Sequence, residues 1–194
     1  DIFGGLPIYF KRKNPTVWLS LTFTDLKLLE KYGQKICKCL YRIETSNYDE
    51  DLYFPEGHLS RELKSPIYCL VLDEAETLRN LQNVYFELLN LHSISTIYLI
   101  DGGCDSILTG DECELGTPFE DFIHLWVIST LSIPNKFVCC VGLDVDKGHD
   151  VLEEDIEKRL KTLTILEQTE LLPAFDEVKE YQRILNASQP RNSI

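Results

Sequence analysis

The stretch from Ser95 to Asp121, STIYLIDGGCDSILTGDECELGTPFED, most constrains what this chain can fold into. It opens on Ile97-Tyr98-Leu99-Ile100, an apolar run too short for a helix and rich in β-formers. The run stops at Asp101-Gly102-Gly103, and a polar loop follows with Asp105, Asp111, Glu112 and Glu114. Thr117-Pro118 then reads as a helix start, with Thr117 as N-cap, Pro118 at the first helical position and Glu120 and Asp121 in the first turn. A buried strand, an acidic loop and a helix N-terminus in succession mark the place where open α/β sheets bind ligands.

Segments on either side extend the alternation. Thr16 to Phe23 predicts a strand, and Thr24-Asp25 starts a short helix through Tyr32 that Gly33 ends. Lys35 to Glu44 alternates and reads as one strand; Thr45 to Leu52 reads as a surface loop. Phe54-Pro55-Glu56 starts a helix to Lys64, and Ile67 to Leu72 is a further strand. Asp73 caps a helix whose buried stripe is Leu78, Leu81, Tyr85, Leu88, Leu89 and His92. After the central stretch and the helix from Pro118 to Leu131, Lys136 to Leu143 is a continuous apolar strand of the kind covered on both faces. A second acidic loop, Asp144 to Asp150, precedes a helix from Leu152 to Thr169 and a last one from Asp176 to Ala187. The chain also opens as a helix, Asp1 to Lys13. This pattern predicts a single α/β domain over residues 1–194, Rossmann-like and three-layered, with a mostly parallel central sheet. Right-handed crossovers would bring the ends of the strands at Asp101 and Leu143 to one edge.

The formal net charge of −13 argues against a nonspecific nucleic-acid binder and against docking on anionic membranes. No apolar run is long enough for a membrane span. The seven cysteines lack C-x-x-C spacing and mostly lie in apolar runs, which suits buried reduced thiols in a cytoplasmic protein; Cys104 and Cys113 stand apart in the acidic loop. The sequence has no methionine and opens on Asp1-Ile2-Phe3-Gly4-Gly5, which reads like the middle of a motif, so both ends are expected to be incomplete.

The motifs of the chain resemble those of the domain of unknown function 1152 (DUF1152) family. A glycine-rich G-G-G-x-D followed by G-L-P-L-Y is matched at its tail by Asp1 and Gly5-Leu6-Pro7-Ile8-Tyr9. L-A-N-L-S-F-T corresponds to Trp18 to Thr24, and Y-F-P-E to Tyr53-Phe54-Pro55-Glu56. The longest element, D-G-G-x-D-S-L-M-x-G-D-E followed by L-G-T-P-x-E-D, is matched by Asp101-Gly102-Gly103, Asp105-Ser106, Gly110-Asp111-Glu112, Leu115-Gly116-Thr117-Pro118 and Glu120-Asp121. A later G-F-G-x-D-x-x-H-G-V is met by Gly142, Asp146, His149 and Val151, with Asp144 where the second glycine is expected. The resemblance covers most of the chain. It implies that a glycine-rich strand and loop precede the sequence and that a further segment follows it. It implies no reaction.

Asp101 at the end of a buried strand can hold a metal, a ribose hydroxyl or a positive substrate group; it can equally bond the backbone of its own turn. Gly102 and Gly103 allow backbone to approach a ligand closely or simply make the turn. Asp101, Asp111 and Glu112 are the candidate metal ligands, with Mg²⁺ the ion that their oxygens suit; the alternatives are solvated loop charges or carboxylates that receive a basic ligand. Asp101, Asp105, Asp146 and His149 are the candidate catalytic residues, Asp146 and His149 forming an acid–base pair. Ser106 is a candidate ligand-binding residue rather than a nucleophile, since no base stands beside it. Thr117 joins it, as do Asp1, Gly4 and Gly5 if glycines precede them as a phosphate cradle. His92 reads as structural, His58 as a helix-surface residue, and His124 either as Asp121's neighbour on one helix face or as core.

The expected function is enzymatic. The chain would be a hydrolase or group transferase acting on a small polar or phosphorylated metabolite or a nucleotide, alone or as a homo-oligomer. The alternative is a regulatory module that binds the same ligands without turnover.

Overall fold

The computed structural model describes residues 16–22, 24–44, 48, 52–71, 77–112, 118–143, 151–166, 179 and 183. The chain divides into two compact units, Asp1–His92 with Leu171–Ile194, and Ser93–Glu170.

In the first unit the β-branched and aromatic residues after Thr16 form β1 (Trp18–Leu21), followed by α1 (Leu26–Tyr32). Asp25 caps α1: its Oδ1 accepts the Lys27 N–H at 2.8 Å. Gly33 ends α1 in an extended conformation, φ −110°, because the chain passes directly into β2 (Gly33–Cys37). β3 (Leu40–Ile43) returns antiparallel to β2 through a turn at Lys38-Cys39. The single strand expected from Lys35 to Glu44 is therefore a hairpin. Both sides of the segment carry apolar residues, and Lys38-Cys39 holds none of the glycine or asparagine that advertises a tight turn.

α2 (Pro55–Leu63) begins with Pro55 and ends at Lys64, φ +50°, where the Ser65 N–H returns to the Ser60 carbonyl at 3.2 Å. β4 (Ile67–Leu70) is buried throughout, parallel to β1 and antiparallel to β3. The sheet order is β1-β4-β3-β2. Its core joins Leu29, Tyr41, Ile43, Phe54, Leu59 and Ile67, each fully buried aliphatic or aromatic side chain contributing about 1.5–3 kcal/mol. α3 (Thr77–Leu91) buries Asn80, Leu81, Val84, Tyr85 and Leu88. Leu78, expected in that stripe, is 47% exposed. His58 is also corrected: it is buried, not on the helix surface.

In the second unit β5 (Thr96–Asp101) and β6 (Asn135–Cys140) are parallel, registered from Thr96 opposite Asn135 to Asp101 opposite Cys140. The Val141 N–H donates to the Asp101 carbonyl at 2.8 Å, so the carboxyl ends of the two strands lie side by side. This is the convergence that the crossover argument predicts. Between them come one turn of 3-10 helix, Asp105–Ile107, and α4 (Pro118–Thr130). α5 (Glu153–Leu160) carries acidic residues in its first turn and Lys158 and Arg159 in its last, as the helix dipole favours. It is shorter than the helix expected from Leu152 to Thr169. β5 and β6 are half-buried rather than covered on both faces; Val138 is 42% exposed.

The described residues thus form a mixed α/β structure with five helices and two sheets. The two-stranded sheet is parallel, but the four-stranded one is mixed, because the β2–β3 hairpin adds antiparallel pairs. The helix expected at Asp1 to Lys13 and the loop at Asp144 to Asp150 lie outside the described residues. So does most of the helix expected at Asp176 to Ala187, of which Lys179 and Arg183 are helical. Arg183 reaches Glu62 of α2 at 2.6 Å. Among the described residues no helix is long and apolar enough to cross a membrane.

Candidate functional site

Three carboxylates meet at the carboxyl end of β5. Asp101 ends the strand, Asp105 opens the 3-10 turn, and Asp121 is the fourth residue of α4. One oxygen from each lies within 4.8 Å of the others. Asp101 is buried, and the other two are half-buried. Local geometry explains the first two positions. The chain leaves β5 through exposed Gly102 and buried Gly103, and the 3-10 turn folds back so that the Ser106 N–H donates to Asp101 Oδ2 at 3.1 Å. The turn is held from below by the core of Cys104, Leu108, Val151 and Ile156. Arg159 of α5 adds a direct tie, its Nε donating to the Ile107 carbonyl.

Asp121 was legible only as a first-turn charge that favours the helix start. The signal that would have drawn it into the site is its place on the helix that follows the acidic loop, pointing back toward the strand end from which that loop departs.

Asp111 and Glu112 do not join this group. They close the next turn on itself. Thr109 Oγ1 donates to Asp111 Oδ1 and, at 2.7 Å, to Glu112 Oε1. Glu112 also accepts the Thr109 N–H at 2.9 Å and the Gly110 N–H at 2.8 Å. The slight burial of Glu112 would raise its pKa, but these hydrogen bonds outweigh it and hold the carboxyl at about 2. Gly110 lies at φ +91°, and a Cβ there would come within 2.9 Å of Phe122 Cε2, so the turn requires glycine on both counts.

Ser106 is buried, and its hydroxyl lies 3.5 Å from Cys140 Sγ. Burial raises the Cys140 thiol to about 11, with the Asp101 and Asp121 charges adding to the rise against the Ser106 contact. A thiol held protonated in this way is a poor nucleophile at neutral pH. Cys104, singled out by its place in the loop, is fully buried core. His124 stands one turn beyond Asp121 on α4, and burial lowers its pKa to about 4, so it is neutral near pH 7.

Asp1, Gly4, Gly5, Thr117, Asp146 and His149 lie outside the described residues, as does Cys113. α4 begins at Pro118, where the sequence places its first turn. Comparison with protein-family models, with curated proteins and with solved structures finds no match for the chain.

Proposed function

We propose that the protein is an enzyme, a hydrolase or group transferase, that acts on a small polar or phosphorylated metabolite, nucleotides included, beside a divalent cation held by Asp101, Asp105 and Asp121. The observation that carries this reading is the approach of these three carboxylates from a strand end, a 3-10 turn and a helix to within reach of one ion. An all-oxygen donor set suits Mg²⁺ or another hard cation, which usually takes one or two carboxylates and leaves its remaining positions to water and phosphate oxygens. Such an ion would neutralise phosphate charge and lower the pKa of a water bound to it.

The chain's own residues would divide the work. Asp101 is oriented by its bond from the Ser106 backbone, Asp105 is carried by the turn that Arg159 holds, and Asp121 closes the group from α4. Asp146 and His149 are the proposed proton carriers, as the sequence suggests. Membership of the DUF1152 family and a Rossmann-like three-layer arrangement belong to the same proposal. The parallel β1–β4 and β5–β6 pairs support that arrangement, and the β2–β3 hairpin would then be an addition to it. A cytoplasmic location also belongs to it, supported by the free cysteines of the described residues.

The test is Mn²⁺ or Mg²⁺ binding by calorimetry, with Asp101→Asn as the variant. The substitution is expected to weaken binding at least about tenfold, about 1.4 kcal/mol. The metal-free melting temperature should be unchanged or higher, because a repelling charge has gone and the asparagine oxygen can still accept from Ser106. Equal binding by Asp101→Asn and the unaltered chain would sink the proposal. Product analysis of phosphorylated metabolites with the metal-loaded protein separates turnover from binding alone.

A further inference from the structure

A second polar group is buried in the other unit. Glu56, in the first turn of α2, is 3% exposed. Its Oε2 accepts a hydrogen bond from Thr24 Oγ1 at 2.7 Å. Thr24 and Thr22 are buried as well, and Thr22 Oγ1 accepts the Thr24 N–H at 3.0 Å. Thr22 follows the last residue of β1, and its N–H still bonds the Leu70 carbonyl of β4 at 3.0 Å; Thr24 lies in the bend beyond it. Glu56 therefore stands at the carboxyl ends of two parallel strands, the place where open α/β sheets receive ligands. On the β4 side its charge reaches fully buried Cys69, whose thiol is pushed up by burial and then by Glu56.

A carboxylate out of water is expensive unless a cation or several donors meet it. Among the described residues Glu56 has one neutral hydroxyl as its hydrogen-bond partner. Arg61, on the same helix, is directed elsewhere: Nη2 lies 3.1 Å from His58 Nδ1, Nε 3.8 Å from Glu62, and the guanidinium covers the Tyr48 ring. A helix-dipole role for Glu56 would be served as well by an exposed side chain. The capacity left over on Glu56 and on Thr24 Oγ1 is for accepting hydrogen bonds. An ammonium group, donor-only and positively charged, supplies both what the carboxylate lacks.

We propose that Glu56, with Thr24, anchors a second ligand site at the carboxyl ends of β1 and β4, and that this site takes a small molecule through a protonated amine. The proposal does not rest on the reading of the Asp101 group.

The experiment is a thermal-shift series on the full chain with methylammonium chloride and ethanolamine hydrochloride against sodium chloride at equal ionic strength, and with ribose as a neutral hydroxyl donor. The amines are expected to raise the melting temperature above that in matched sodium chloride. Glu56→Gln keeps the shape and the Thr24 bond but removes the charge. It should melt higher than the unaltered chain without amine and show no amine shift, since a buried charge kept for a ligand trades stability for binding. Glu56→Asp, which keeps the charge on a shorter stem, should fold and require roughly tenfold more amine for the same shift. An amine shift that survives in Glu56→Gln, no shift in the unaltered chain, or a lower melting temperature for Glu56→Gln would each overturn the proposal. A Glu56-dependent shift with ribose and none with either amine would overturn the ammonium assignment.

Discussion

His124 shows most plainly how burial acts on a single charge. Its pKa falls from 6.5 to about 4 through desolvation. The native state therefore stays neutral over a range in which the unfolded chain takes up a proton. Stability from this residue is intact above about pH 6.5, declines as pH falls toward 4, and declines no further below that. The size is on the order of 3 kcal/mol at most. Urea unfolding near neutral pH and near pH 4.5 should show that loss, and His124→Gln should remove most of it. Glu112 acts lower: its depressed pKa makes its contribution disappear only between about 4.5 and about 2, and solvent screening keeps it small. At this scale the sequence was informative where a residue's role follows from its immediate neighbours. Asp101 and Asp105 were legible as polar groups at an abrupt strand end. Asp111 and Glu112 carried the same chemistry at plausible spacing, but Thr109 and Gly110 draw them into a local turn. Spacing alone does not register which way a loop carboxylate faces.

Among the elements, α2 is the most tightly specified at its start. Phe54 is fully buried, its ring in edge contact with Tyr48, and Gly57 lies directly against it. A Cβ at Gly57 would fall 2.5 Å from Phe54 Cδ1. Gly57→Ala should therefore destabilise the protein by about 1–3 kcal/mol, despite alanine's better helix propensity, because the ring must move within a packed core. Chemical denaturation measures it; a gain in stability would mean that Phe54 gives way at little cost. The elements themselves were largely legible. The Asp25 cap, proline at the first helical position of α2 and α4, and β-branched runs in the strands act through residues a few positions apart. The β2–β3 hairpin was not legible, because its reversal at Lys38-Cys39 rests on pairing with β4 rather than on a turn-forming residue.

Across the whole molecule the net charge of −13 sets a field that opposes compaction. Salt screens it, with a Debye length of about 10 Å at 0.1 M. The melting temperature should rise from low salt to about 0.2 M sodium chloride, and Asp101→Asn should show a smaller rise, having lost one of three converging charges. An unchanged melting temperature across that range would mean that the carboxylates are too dispersed to repel. The chain by itself determined most of the strands and helices among the described residues, and that the strand ending at Asp101 runs into a polar, acidic loop. Those features arise from steric preference and apolar spacing over short stretches. Tertiary structure alone decided that the first sheet is mixed, that Asp121 rather than Asp111 or Glu112 completes the carboxylate group, and that Glu56 is buried against Thr24. Each of these depends on how elements far apart in the chain pack, and no local pattern carries that information.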